Sequence, residues 1–193
     1  MATSGLQRIN NEIHLYPYKD LYPELHETVF LAPGVKLVGD VKIGEHSSVW
    51  YNTVIRGDVH YVKIGSYTNI QDSSMLHVTN GKAPLNIGNR VTIGHAVKLH
   101  GCILMDLCFI GIGAIILDDA VVEENSMVAA GAVLPPGFVV PSGKIVGGVP
   151  AKVLRNLTKE EITDIDESAD RYVQYAKITT ESLKNMNIND NQF

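Results

Sequence analysis

The sequence predicts an all-β fold of stacked short strands followed by one C-terminal α-helix, and two observations support this fold class. The first is a column of aliphatic residues that recurs every six positions over most of the chain. The second is an amphipathic stretch near the C-terminus that is preceded by a helix-capping signal. At 193 residues the chain is long enough for one domain with a substantial core.

The aliphatic column begins near residue 29, and each of its nineteen positions is Leu, Ile or Val. A period of six matches neither the helical period of about 3.6 nor one long strand, so it indicates internal repetition. The pattern is that of hexapeptide repeats in a left-handed parallel β-helix, a triangular prism with three short strands in each coil of about eighteen residues. The positions are Leu31, Leu37, Ile43, Val49, Ile55, Ile64, Ile70, Leu76, Ile87, Ile93, Leu99, Leu104, Ile110, Ile116, Val122, Val128, Leu134, Val140 and Val146.

The C-terminal stretch carries the signals of one amphipathic helix. Thr158 and Glu161 form a T-x-x-E capping box, and apolar residues follow at helical spacing from Ile162 to Ala176. We expect this helix to lie with its apolar stripe against the prism. The predicted organisation is a lead-in at residues 1–28, the β-helix at 29–155, the packed helix at 156–184 and a tail at 185–193.

Composition excludes several classes of function. Hydrophobic residues make up 45% and charged residues 19%, as in an ordinary folded globular protein. The net charge of −5 and the lack of a basic stripe predict no nucleic-acid partner and no membrane partner. The two cysteines do not form a disulfide framework, and the chain shows neither a signal peptide nor a membrane-length apolar run, so we expect a cytoplasmic protein.

Three of the seven histidines, His77, His95 and His100, lie in two short segments of the repeat region. Neutral imidazole is a common zinc ligand, and three such ligands with one water make an open catalytic zinc site. An isolated histidine is more often a surface or hydrogen-bonded core residue. The position of these three in the repeat favours a metal site.

Counting repeats shows which side chains stack. Three repeats make one coil, so Arg56, His77 and His100 follow the column on the same edge of successive coils. Adjacent coils lie about 4.8 Å apart, which allows His77 and His100 to bind one metal ion. On another edge, Asp72 stacks one coil from His95. Because His95 lies around a corner, we predict a homotrimer with metal sites shared between subunits.

Three segments resemble the γ-class carbonic anhydrases, of the shorter type that lacks the acidic proton-shuttle loop. They are Ile55-Arg56-Gly57-Asp58, the run from Asn69 to His77, and the run from Ile93 to Gly101. The resemblance extends over residues 10–180. In that family three histidines bind zinc, or iron or cobalt, with two from one subunit and one from the next.

The resemblance implies that the three histidines hold Zn²⁺, with Fe²⁺ or Co²⁺ as alternatives. A metal-bound hydroxide at the trimer interface would then hydrate CO₂ reversibly to bicarbonate. It also implies that Arg56 and Asp72 pair across the interface, that Gln71 hydrogen-bonds the hydroxide or bicarbonate, and that Asn69 helps to orient it. Asp58 is expected to support Arg56 or the interface.

One departure from the family leaves other functions open. Founding members carry acidic residues for proton transfer, but here Val59 follows Asp58, and the loop after His77 reads Val-Thr-Asn-Gly-Lys. The alternatives are a hexapeptide-repeat acyltransferase with acetyl-CoA and a histidine base, a metal-dependent thioesterase, and a catalytically silent metal-binding homologue.

Overall fold

The computed structural model describes residues 14–189, so the first thirteen residues of the predicted lead-in and the last four of the predicted tail lie outside the described residues. Within this range the chain forms twenty strands and one helix. In chain order these are β1 (Leu15–Tyr16), β2 (Glu24–Leu25), β3 (Phe30–Leu31), β4 (Lys36–Ile43), β5 (Ser48–Val49), β6 (Val54–Ile64), β7 (Asn69–Ile70), β8 (Met75–His77), β9 (Leu85–Ile87), β10 (Thr92–Ile93), β11 (Lys98–His100), β12 (Ile103–Leu104), β13 (Phe109–Ile110), β14 (Ile115–Ile116), β15 (Val121–Val122), β16 (Met127–Val128), β17 (Val133–Leu134), β18 (Val139–Val140), β19 (Lys144–Gly147), β20 (Lys152–Asn156) and α1 (Lys159–Asn189).

The strands of successive coils stack in parallel to form three faces. The first face contains the start of β4 and of β6, followed by β8, β11, β14 and β17. The second contains the ends of β4 and β6, followed by β9, β12, β15 and β18. The third runs from β3 through β5, β7, β10, β13 and β16 to β19, where β20 adds an antiparallel strand. The predicted fold class, a parallel β-helix followed by one helix, is confirmed.

The register of the strands is the one that repeat counting predicts. On the first face Ile55 pairs with Leu76 and Leu76 with Leu99, and on the third face Ile70 pairs with Ile93. All positions of the column except the first are buried, with at most 5% of their surface exposed. Each coil covers the aliphatic side chains of its neighbours, and burial of one such side chain is worth about 1.5–3 kcal/mol.

A three-residue insertion in the column, between β5 and β7, reshapes one corner of the prism. There β6 continues through the corner as an 11-residue strand. Gly39 and Gly57 stack at this corner, where a Cβ on Gly39 would lie 2.4 Å from the Gly57 carbonyl oxygen. Only a residue without a side chain allows this approach. The insertion begins at Asp58, whose side chain reaches His77 on the first face.

Helix α1 begins at the predicted capping box. The Glu161 amide donates to Thr158 Oγ1 over 3.2 Å, and the Thr158 amide donates to the Glu161 carboxylate over 2.9 Å. The helix continues to Asn189, beyond the predicted end at residue 184, because no glycine or proline follows Thr158 to interrupt it. Among the described residues, no helix combines the length and apolarity needed to cross a membrane.

The helix packs on the third face, where it contacts β5 and β10. Ile165 and Ala169 are almost fully buried there. The Tyr172 ring meets the Trp50 ring edge-on, with centroids 5.6 Å apart. At the rim, Arg90 of the prism forms ion pairs with two carboxylates of the helix. The helix is therefore fixed on the face that carries His95.

We expect the loss of stability to grow with the number of carbon atoms removed from a side chain of the aliphatic column. Ile110 is fully buried between Ile93 and Val128 of the adjacent coils. We expect Ile110→Ala to lower the free energy of unfolding by about 2–5 kcal/mol and Ile110→Val by about 0.5–1.5 kcal/mol, since each leaves a cavity of different size. Urea denaturation at one protein concentration measures both. Equal losses for the two variants would contradict a tightly packed column.

Candidate metal centre

His77 and His100 meet on the first face of the prism. They end strands β8 and β11, which pair in register so that His77 lies opposite His100. His77 Nδ1 and His100 Nε2 are 3.1 Å apart. The structure therefore brings together the two histidines that repeat counting places on one edge.

In each ring, the nitrogen that does not face the other histidine is the outer nitrogen, and it contacts a carboxylate. His77 Nε2 lies 3.1 Å from Asp58 Oδ1, and His100 Nδ1 lies 2.5 Å from Asp118 Oδ1. The His77 ring is thus oriented by Asp58 of the insertion, and the His100 ring by Asp118 of the next coil. Carboxylate contacts of this kind are typical of histidines that bind metal ions.

Both carboxyl groups are ionised at neutral pH. Burial raises the pKa of Asp58, but hydrogen bonds from its histidine and from Arg56, with the Arg56 charge, bring it below the ordinary value. Burial likewise raises the pKa of Asp118, and hydrogen bonds from Thr79 and from its histidine outweigh that effect. An ionised carboxylate only accepts hydrogen bonds, so the ring nitrogen that faces it carries the proton.

This protonation leaves two lone pairs that face each other. His77 Nδ1 and His100 Nε2 are then both acceptors, and at 3.1 Å they repel unless a cation or a shared proton lies between them. Two nitrogens bound to one tetrahedral zinc ion at about 2.0–2.1 Å lie about 3.3 Å apart. The chemistry and the spacing of this donor pair therefore fit a metal ion.

His95 lies on the third face, beside Asp72. Its Nδ1 is 2.6 Å from Asp72 Oδ2, so this ring, like the other two, is oriented by a carboxylate. Asp72 and His95 each precede a residue in the left-handed conformation, Ser73 with φ 60° and Ala96 with φ 57°. These two residues turn the chain at the corner of the prism, from which His95 and Asp72 project.

A single chain does not complete a three-ligand site. Among residues 14–189, no group of three His, Cys, Asp or Glu side chains lies in an arrangement that could hold a metal ion. His77 and His100 are together on the first face, and His95 is with Asp72 on the third. The ligand set that the sequence predicts is thus divided between two surfaces of the prism and stays a prediction.

Arg56 binds Asp58 within the chain through Nη1. The expectation that Asp58 supports Arg56 agrees with this contact. Asp72 is engaged by His95, and the predicted pairing of Arg56 with Asp72 does not occur within one chain. Pairing across subunits stays a prediction.

Gln71 and Asn69 are joined by a hydrogen bond next to Asp72. Gln71 Nε2 donates to Asn69 Oδ1 over 3.1 Å, and the two residues are 6% and 1% exposed. Gln71 is therefore a buried polar residue rather than a solvated corner residue. Its Oε1 has no hydrogen-bond partner within residues 14–189.

Sequence reasoning missed Asp118 and Thr79. Thr79 Oγ1 donates to Asp118 Oδ2 over 2.6 Å, and Asp118 in turn orients His100. The signal for Asp118 was available, because it is the second residue after Ile116, one coil beyond His100 on the same face. Thr79 lies in the loop that interrupts the repeat, and repeat counting cannot predict which residues a loop side chain contacts.

The helix adds tyrosines near His95. Tyr172 and Tyr175 line a pocket of about 400 Å³ together with Asp72, His95 and Trp50. Burial raises the pKa of Tyr172. The structure thus places both tyrosines beside the third-face histidine.

Cys102 does not take part in this centre. It is fully buried, and burial raises the pKa of its thiol. The group is therefore a neutral thiol at physiological pH and packs in the core as a small apolar residue.

Comparison with protein families and solved structures identifies the repeat. Residues 22–57 match the family model described as bacterial transferase hexapeptide (six repeats). A hexapeptide transferase family protein from Anaplasma phagocytophilum is 44% identical with a TM-score of 0.81, covering 85% of this chain and 96% of that chain. A Bacillus cereus protein described as a candidate acetyltransferase is 39% identical with a TM-score of 0.85, covering 87% of this chain and 97% of that one.

Three further relatives are named for one activity. A probable carbonic anhydrase of Methanocaldococcus jannaschii is 52% identical over 83% of this chain and 99% of its own length. A carbonic anhydrase of Geobacillus kaustophilus is 49% identical over 83% and 87%. The mitochondrial gamma carbonic anhydrase 2 of Arabidopsis thaliana is 46% identical over 82% of this chain, which spans 59% of that relative. With this identity over most of its length, the chain belongs to the γ carbonic anhydrase family.

Proposed function

We propose that this chain forms a metal-dependent carbonic anhydrase that hydrates CO₂ reversibly to bicarbonate. The observation that carries the proposal is the pair of imidazole nitrogens 3.1 Å apart, His77 Nδ1 and His100 Nε2, each on a ring oriented by an ionised carboxylate. The relatives named carbonic anhydrase support the reaction class.

The metal would be held by His77 Nδ1 and His100 Nε2 of one subunit and by His95 Nε2 of another. A bound zinc ion would lower the pKa of a coordinated water to about 7 and so supply a nucleophile for CO₂ at neutral pH. Neutral imidazole also suits iron and cobalt, so the same donors serve Fe²⁺ or Co²⁺. The carboxylate on each ring holds the proton on the outer nitrogen and leaves the inner one free to bind.

A homotrimer accounts for the division of the ligands. His77 and His100 lie on the first face and His95 on the third, so no rearrangement within one rigid prism joins them easily. Threefold symmetry would set the first face of one subunit against the third face of the next and repeat the same site three times. Arg56 would then lie close to the neighbouring Asp72 and pair with it, in addition to Asp58.

Gln71 and Asn69 are suited to position the reacting groups. Gln71 Nε2 donates to Asn69, so Gln71 Oε1 is left to accept a hydrogen bond from the nucleophile. Because both residues are buried, the hydrogen bond between them is stronger than at an exposed site. We propose that Gln71 orients the nucleophile and that Asn69 holds Gln71 in place.

The first test of the proposal is CO₂ hydration in protein of known metal content. We expect stopped-flow activity that tracks metal occupancy, in samples prepared anaerobically with iron and separately with zinc. His100→Ala should lose both metal and activity, while His26→Ala, which changes an exposed histidine away from the site, should keep both. Full metal occupancy without hydration would refute the reaction and direct attention to thioesters as substrates.

Sharing of the site between subunits predicts complementation. His95→Ala and His77→Ala should each lose metal, because each removes a ligand from every site. In a mixed trimer, one interface combines the intact His77 and His100 of one subunit with the intact His95 of its neighbour. Refolding the two variants together should therefore restore one site per mixed trimer, as measured by bound metal. No recovery in demonstrably mixed trimers would show that the site is not shared.

Removal of the Asp118 charge should weaken metal binding without changing any of the proposed metal ligands. Asp118→Asn keeps the size of the side chain but removes the charge that supports His100, and we expect metal affinity to fall by about 10–100-fold. Asp119→Asn is the matched control, since Asp119 is exposed and its φ of 60° suits asparagine. Competition with a chromophoric chelator measures both affinities. An equal effect in the two variants would argue against a specific role for Asp118.

A further inference from the structure

A chain of four buried side chains leads from helix α1 to Gln71. Gln71 Nε2 donates to Asn69 Oδ1 over 3.1 Å, Asn69 Nδ2 donates to Thr92 Oγ1 over 2.8 Å, and Thr92 donates to Ser168 Oγ over 3.0 Å. All four residues are at most 6% exposed. Ser168 belongs to α1, and the other three belong to the third face, so the chain crosses the interface between helix and prism.

The chain has a direction. Thr92 accepts from Asn69, so the single proton of its hydroxyl goes to Ser168. Asn69 then has only its Oδ1 to offer Gln71, and Gln71 must use Nε2 to reach it. This direction determines that Oε1, an acceptor, is the free end of the Gln71 amide. If the direction were reversed, the free end would be an NH₂ group, which only donates.

We propose that Thr92 and Ser168 are positioning residues that hold Asn69 and, through it, keep the Gln71 amide with Oε1 presented to the reacting groups. The inference rests on the proposed function, in which Gln71 Oε1 accepts a hydrogen bond from the oxygen nucleophile. Neither residue touches the substrate. They act through Asn69, and Ser168 makes the orientation of a prism residue depend on the docking of α1.

Burial makes the direction of the chain stable. Rotation of the Gln71 amide by 180° would place its Oε1 against Asn69 Oδ1, so that two acceptors would face each other with no proton between them. A buried polar group without its partner is destabilising. Removal of one hydroxyl therefore releases Asn69 and allows the Gln71 amide to rotate.

The test compares variants that remove a hydroxyl with variants that keep one. Thr92→Val and Ser168→Ala should lower kcat for CO₂ hydration by about tenfold, while metal content stays that of the unaltered protein. Thr92→Ser keeps the hydroxyl and should retain activity. Ser126→Ala is the matched control, because Ser126 is equally buried and lies outside the chain, where its hydroxyl donates to the Pro141 carbonyl.

A second readout does not depend on activity. The side-chain NH₂ groups of Asn69 and Gln71 should give NMR signals with slowed hydrogen exchange in the unaltered protein. They should lose that protection in Thr92→Val and in Ser168→Ala, but not in Thr92→Ser or Ser126→Ala. Unchanged signals and unchanged kcat in Ser168→Ala would overturn the inference. If the unaltered protein hydrates no CO₂, the proposed function fails, and the NMR signals still decide whether the two hydroxyls hold the amides.

Discussion

The in-register stacking of the aliphatic column is the constraint on which the rest of the structure depends. Each coil buries its side chains only against the coils above and below, so the register between coils cannot shift without exposing the column. Two side chains that follow their column positions by the same number of residues therefore lie next to each other on adjacent coils. His77 faces His100, and Asp72 contacts His95, for this reason. The candidate metal centre is a direct consequence of the core.

The features that complete the centre occur where the repeat is interrupted. The insertion in β6 supplies Asp58, and the loop after β8 supplies Thr79, which holds Asp118. A regular coil would repeat the same short strands and corners and leave little room for such contacts. The repeat thus provides the rigid positions of the histidines, and the two irregular segments provide or hold carboxylates that orient them. Rigid ligands with oriented rings are what a metal site of defined geometry requires.

Helix α1 has a role beyond covering the third face. Its tyrosines line the pocket at His95, and its Ser168 ends the buried chain that leads to Gln71. Because the helix is fixed at its start by the capping box and at its side by Arg90, these contacts have a defined geometry. In the proposed trimer, the helix of one subunit would thus lie near a centre whose other ligands come from its neighbour.

The sequence by itself determined the fold class, the register of the coils, the start of the helix and the pairing of His77 with His100. All of these follow from a strict period and from local capping chemistry, which need no knowledge of distant contacts. Only the tertiary structure decided that Asp58 meets His77, that Asp118 and Thr79 support His100, and that Thr92 meets Ser168. These contacts join an insertion, a loop and a helix to the prism, and no periodic rule relates residues from such different elements. They depend on where each side chain can find a partner once the coils have closed.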